Sequence, residues 1–154
     1  MIFIDGILIT LFIKYIWKWR FLYDWLVPFP NLNGTWEGQI KSIWIDPETN
    51  KTLNAIPVEL TIKQSFLSTS CVVVTNKLES LSFISGFIID KENQILQLVY
   101  SYNSTTKQTE IEGNNKHSGT VVLNIKNHAK KLEGYYWTDR KTTGDVQFSI
   151  KRYE

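Results

Sequence analysis

From Thr35 onward the chain alternates apolar and polar residues with a period of two, the signature of strands with one buried face. The first such stretch runs from about Thr35 to Ile45, with Trp36, Gly38, Ile40 and Trp44 on one face and Glu37, Gln39 and Lys41 on the other. The second places Ile56, Val58, Leu60 and Ile62 inside, and the third is a valine-rich run from Ser70 to Thr75. The fourth spans Leu81 to Ile89 with Leu81, Phe83, Phe87 and Ile89 in phase, and the fifth spans Gln94 to Tyr102 with Leu96, Leu98, Tyr100 and Tyr102 in phase. Asn103 to His117 reads as a polar loop or a frayed strand end. Val121, Leu123 and Ile125 mark a sixth strand from Gly119 to Ile125. Leu132–Arg140 and Asp145–Tyr153 form a last hairpin through Lys141-Thr-Thr-Gly144. Eight short strands joined by turns, with no helical period between them, predict a mainly β fold: an eight-stranded antiparallel up-and-down, lipocalin-like β-barrel. Such a barrel is just wide enough to hold one small ligand.

Residues 1–30 have a different pattern. Met1 to Ile13 is apolar except for Asp5, Gly6 and Thr10, and the following stretch interleaves aromatics with Lys14, Lys18, Arg20 and Asp24. This predicts an N-terminal membrane helix, with Ile7, Leu8, Leu11 and Phe12 in the apolar run and Trp17 and Trp19 in an interfacial belt; the alternative is an amphipathic helix packed on its own domain or lying on the membrane surface. A span needs about 20 apolar residues, which the run reaches only if the helix continues to about Phe21 with Lys14 and Lys18 snorkelling. Basic residues after the run place the barrel in the cytoplasm. The division is therefore residues 1–30 as membrane anchor and residues 31–154 as ligand-binding barrel, met at Asn31-Leu-Asn-Gly-Thr-Trp-Glu-Gly38. There Gly34 permits an unusual backbone angle and Trp36 plugs the barrel end.

The charge of +2, from 17 basic and 15 acidic residues, speaks against wrapping a long nucleic acid, which needs a strongly basic surface. Cys71, the single cysteine, excludes an internal disulfide and a cysteine metal site. No spacing of His, Cys or acidic residues suits a metal, and no phosphate loop or serine elbow appears. The sequence calls for neither enzyme nor cofactor, and His117 and His128 read as solvated turn residues.

The stretch with the most chemistry is Leu132-Glu-Gly-Tyr-Tyr-Trp-Thr-Asp-Arg-Lys-Thr-Thr-Gly144. If Leu132 faces the lumen, so do Gly134, Tyr136, Thr138 and Arg140. A guanidinium in a lumen needs an anionic partner, supplied either by Asp139 or Asp145 or by a ligand phosphate or carboxylate; the alternative is that Arg140 sits at the strand end, bonded to turn carbonyls and Asp145, with the tyrosines as core. Tyr136, with Tyr100 or Tyr102, is placed to stack a ring, and Thr138 and Asn103 to meet base or sugar edges. A register one residue off would turn Tyr135 and Trp137 inward instead.

The order of these parts resembles the SMODS-associated two-transmembrane, β-strand-rich effectors of CBASS antiphage defence, also described as CD-NTase-associated membrane β-barrel effectors. The resemblance rests on the aromatic-flanked apolar segment, Asn-Gly-Thr-Trp36-Glu-Gly, the eight strands, and Gly134-Tyr-Tyr-Trp-Thr-Asp-Arg140 before Gly144. It implies a barrel in the cytoplasm that receives a cyclic di- or trinucleotide second messenger. It also implies an N-terminal segment that self-associates in the lipid bilayer and disrupts the bacterial inner membrane. That family has two spans, whereas this chain shows one short apolar run, and either sign of control by the ligand is compatible with it. The alternative from the residues alone is a lipocalin-like carrier or interaction module on a membrane anchor.

Overall fold

The computed structural model describes residues 2–43, 45, 54–106 and 116–151. Helix α1 (Ile2–Lys14) leads through two 3-10 turns (Ile16–Lys18 and Arg20–Leu22) into β1 (Gly34–Ser42), β2 (Ile56–Gln64), β3 (Thr69–Val74), β4 (Leu78–Asp90), β5 (Ile95–Thr106), β6 (His117–Lys126), β7 (Lys131–Thr138) and β8 (Thr143–Ile150). Each strand pairs antiparallel with the next, and β8 pairs back onto β1, closing the barrel. Closure divides every strand into inward and outward residues. Trp36, Leu60, Leu98, Leu123 and Leu132 are fully buried inside.

Several expectations about strand limits change. Strand β5 continues to Thr106 and β6 begins at His117, so part of the expected polar loop is strand. Strand β1 ends at Ser42 and β7 at Thr138. Trp44, Glu110, Glu112, Arg152 and Tyr153 lie outside the described residues. On β4, Leu81 and Phe83 point outward and are 55% and 64% exposed, contrary to expectation. The reason is a bulge: Ser82 pairs with Tyr102, but Ile84 pairs with Ser101. The extra residue shifts the phase by one. Ser80 and Ser82 share the phase of the inward face above the bulge, Phe87 and Ile89 below it.

The chain enters the barrel through a polar clasp. Gln64 is buried, its Oε1 accepts from the Leu32 amide at 2.8 Å and its Nε2 donates to Pro30 O at 3.2 Å. Asn33 Oδ1 accepts from the Gln64 amide at 2.7 Å, and Asn33 Nδ2 donates to Gln64 O at 3.0 Å. Gly34, the first residue of β1, takes a φ of +136°, the unusual angle its sequence context anticipated. Trp36 caps the core with its Nε1 donating to Leu32 O at 3.1 Å.

The N-terminal segment differs from the expected span. Among the described residues no helix is long and apolar enough to cross a membrane. The α-helix stops at Lys14 and tight turns follow. Trp17, expected at a membrane interface, is buried instead with Leu22 and Val27. Its ring stands edge-on to Phe29 at 5.9 Å, and Phe29 stacks on Phe87 at 4.9 Å. Phe12 meets Phe66 edge-on at 5.1 Å. These rings clamp the segment to the barrel base. Ile7, Leu8, Leu11 and Trp19 remain exposed.

The clasp is open to test. Replacing Gln64 by Leu leaves the Leu32 amide and the Pro30 carbonyl buried without a partner, at about 1–3 kcal/mol for each orphaned group. Denaturant unfolding followed by tryptophan fluorescence is expected to show a loss in that range for Gln64→Leu, and a loss of less than half as much for the exposed Gln147→Leu.

Candidate ligand-binding site

Antiparallel order gives the barrel two unlike ends. The end reached by the N-terminal segment is filled by Trp36, Leu32 and Ile62. At the other end lie the β3–β4 turn at Thr75–Leu78 and the β7–β8 turn at Thr138–Thr142. Here the lumen opens into a cavity of ≈ 380 Å³, within the range of small-molecule sites.

Its inner wall is apolar, with Ile40, Val73, Val121, Val146 and Phe148. Three tyrosines stand above it: Tyr100 and Tyr102 from β5 and Tyr136 from β7. The rings of Tyr100 and Tyr102 are 6.3 Å apart, and His117 meets Tyr102 edge-on at 6.0 Å. Two glycines make room for these rings. A Cβ on Gly119 would lie 2.6 Å from the Tyr102 hydroxyl, and one on Gly144 would lie 2.6 Å from the Tyr136 ring. The rim is polar, with Asn76, Lys77, Ser80, His117, Thr138 and Thr142. The Thr138 and Thr142 hydroxyls are 2.6 Å apart and tie the strand end to its turn.

Of the residues singled out in the sequence, Tyr100, Tyr102, Tyr136 and Thr138 come together on this wall. Tyr135 and Trp137 are exposed, so the register of β7 is the one that turns Leu132 inward. Two others stand elsewhere. Alternation along β5 places Asn103 outside, where its Oδ1 accepts from the Ser118 hydroxyl at 2.8 Å. Arg140 follows the end of β7, so the strand's alternation no longer aims it inward. It is exposed, and its Nη2 donates to Lys116 O at 2.8 Å. From the sequence, Lys77 reads as a turn residue and His117 as a solvated turn histidine, whereas His117 begins β6 and both line the cavity. The phase of Val121, Leu123 and Ile125, run back along β6, leads to His117. Lys77 carries no such signal, because it lies in a turn whose course only the closed barrel decides.

Residues 27–150 match the family described as Cap15, cyclic dinucleotide receptor domain. The chain belongs to this family. It is also similar to the CD-NTase-associated protein 15 of Staphylococcus schleiferi, with 26% identity over 135 residues that cover 87% of this chain and 68% of the relative. The matched stretch of the receptor domain takes in all eight strands and the whole cavity wall.

Burial sets the protonation of the wall. It pushes the Tyr102 phenol up to about 12, with Tyr136 and Asp139 adding to the shift. Tyr100 is raised well above its ordinary value by burial, then by Cys71 and Tyr102. Both phenols are neutral hydrogen-bonding groups near neutral pH, and neither is an anion that would repel a phosphate. Burial also raises the Cys71 thiol to about 12.

These groups hold their protons more tightly in the folded chain than in the unfolded one. Their contribution to stability is complete below their ordinary values of 9.0 and 10.0 and is lost as the pH rises toward about 12. Urea midpoints are expected to be insensitive to these groups up to about pH 9 and to fall above it, and Cys71→Ala combined with Tyr102→Phe should flatten that fall.

Proposed function

We propose that this chain is a CBASS-type antiphage effector whose barrel cavity receives a cyclic di- or trinucleotide and whose N-terminal segment acts at the membrane. The observation that carries the receptor reading is the cavity itself: three tyrosines over an apolar floor, with Lys77 and His117 at its rim. A cyclic nucleotide presents flat bases and anionic phosphates. Aromatic side chains stack on bases, and cationic donors form charge-assisted bonds to phosphate. Tyr136 and Tyr102 supply the stacking, Lys77 and His117 face the phosphates, and Thr138 and Thr142 meet sugar or base edges. Arg140, beside Lys116, adds positive potential just outside. The work is recognition rather than catalysis.

The apolar floor favours a second reading, a lipocalin-like carrier of an apolar ligand. The two separate on the rim, since an apolar ligand gains nothing from Lys77.

For the membrane, α1 is apolar on nearly all sides, which in a stable helix means burial in protein or lipid. Phe3, Ile4, Ile7, Leu8 and Ile9 are each more than half exposed, so the protein does not cover them. The described helix is about 20 Å long, against about 30 Å of hydrocarbon. Lys14 ends it, Lys18 and Arg20 follow, and these charges favour a cytoplasmic barrel at the inner membrane. Self-association of such segments in the bilayer would then disrupt it.

Two measurements test these parts. Titration calorimetry of the full chain in detergent with a panel of cyclic di- and trinucleotides is expected to find a binder. Lys77→Ala should weaken it by about 1.5–3 kcal/mol, roughly ten- to a hundred-fold, Tyr136→Ala by about 1–3 kcal/mol, and Arg140→Ala by less than either. Wild-type affinity in both Lys77→Ala and Tyr136→Ala, with the barrel folded, would rule this cavity out. Separately, Leu8→Arg carries an insertion cost of about 2.5–3.5 kcal/mol. It is expected to move the full chain out of the membrane fraction and abolish killing while nucleotide binding is retained.

A further inference from the structure

The closed end of the barrel has a second feature besides the apolar helix. Its turns carry an excess of basic side chains. Lys18 and Arg20 lie within the aromatic segment, Lys63 is next to the end of β2, and Lys126 and Lys130 bracket the β6–β7 turn, all of them exposed. Two acidic groups at this end are taken up in ion pairs, while Asp90 and Glu92 at the β4–β5 turn form none among the described residues. Asp24 pairs with Lys91 at 2.7 Å, Glu133 pairs with Lys131 at 2.6 Å, and Asp90 accepts from Asn93. Lys126 and Lys130 form no ion pair among the described residues.

The geometry of these charges matters as much as their number. Helix α1 docks on one side of the base, with the Phe66 amide donating to Ile13 O at 3.2 Å. The β6–β7 turn lies on the other side, four strands away around the barrel. Its backbone is tight: Asn127, His128 and Ala129 take φ of 53°, 54° and 60°, and the Lys130 amide returns to Lys126 O. Ala129 packs against the core, which holds the turn in place. A helix entering a bilayer from one side of the base brings the whole base to the headgroup layer, because the aromatic clamp fixes helix and barrel together. The basic turn then meets that layer at a second point.

We infer that the barrel base is a docking surface for the anionic phospholipid headgroups of a bilayer, with Lys126 and Lys130 as its contact opposite α1. This rests on the membrane reading above and adds to it. The helix by itself lets the barrel tilt, whereas two contacts across the base hold it upright with the ligand cavity facing away from the membrane. Clustered lysines next to an inserted segment gain from the negative surface potential of such lipids, and that gain fades with salt.

The test is flotation of the full chain, diluted from detergent, with two kinds of vesicle: phosphatidylcholine alone, and equal parts phosphatidylcholine and phosphatidylglycerol. The full chain is expected to partition more strongly onto the anionic vesicles, by roughly ten-fold or more at low salt, and to lose that preference as salt is added. Lys126→Gln with Lys130→Gln should lower partitioning onto anionic vesicles by roughly ten-fold and leave partitioning onto phosphatidylcholine unchanged. The matched pair Lys41→Gln with Lys141→Gln, at the opposite end, should behave as wild type. Equal binding of wild type to both vesicles, or an unchanged anionic preference in the Lys126/Lys130 pair, overturns the headgroup surface and leaves membrane insertion standing. Binding to neither vesicle overturns both.

Discussion

Closing eight strands on themselves depends on the seam between β1 and β8, where Trp36 lies opposite Ile150 and Ser42 opposite Gly144. A sheet that stopped at β8 would leave two edges of unpaired backbone groups, with an apolar face exposed to solvent. The seam is close, and glycine makes it so. A side chain on Gly38 would run into the Gln147 carbonyl and the Phe148 ring, and one on Gly144 would strike the Lys41 carbonyl. With the seam shut, every inward residue faces every other across one lumen, and the core and the cavity become two parts of a single space.

What fills that space changes along its length. Near the base, large apolar side chains pack to full burial around Trp36. Toward the far end the inward residues become tyrosines, serines and threonines, and glycines open room beside them. Filling stops there and a cavity remains. The same alternation that hides Leu98 on β5 therefore places Tyr100 and Tyr102 along the cavity. Core residues and cavity-lining residues differ only in their height along the strand.

The base, in contrast, is a joint. Phe87 packs against the barrel core and stacks on Phe29, which in turn touches Trp17 and Phe66. Packed rings of this kind transmit displacement poorly as a gradient and well as a change between discrete arrangements. The apolar helix is therefore carried by the receptor domain as an extension of its packing, and not on a loose tether. The exposed stripe formed by Leu81, Phe83, Ile84 and Ile88 on the outside of β4 follows from the bulge, and nothing in the structure shows what covers it.

Alternation along the chain by itself determined the fold class, the number of strands and most of the inward faces. A period of two is a local property, and burial of one face enforces it wherever the strand is regular. It was enough to bring Tyr100, Tyr102, Tyr136 and Thr138 to one wall, and to place Trp36 in the barrel end. It failed where the backbone departs from regularity. The bulge at Phe83 reversed the faces of Leu81 and Phe83, and the end of β7 at Thr138 released Arg140 to the surface outside the cavity, as the strand-end alternative has it. Sites built by turns, such as Lys77, have no period to read, and only closure of the barrel brought them to the cavity. The N-terminal segment makes the same point. Apolar composition alone cannot separate a ring that meets lipid from one that meets protein. Tertiary packing took Trp17 into the base beside Phe29, and it left Leu8 and Trp19 exposed, because the barrel offered partners to one side of the segment only.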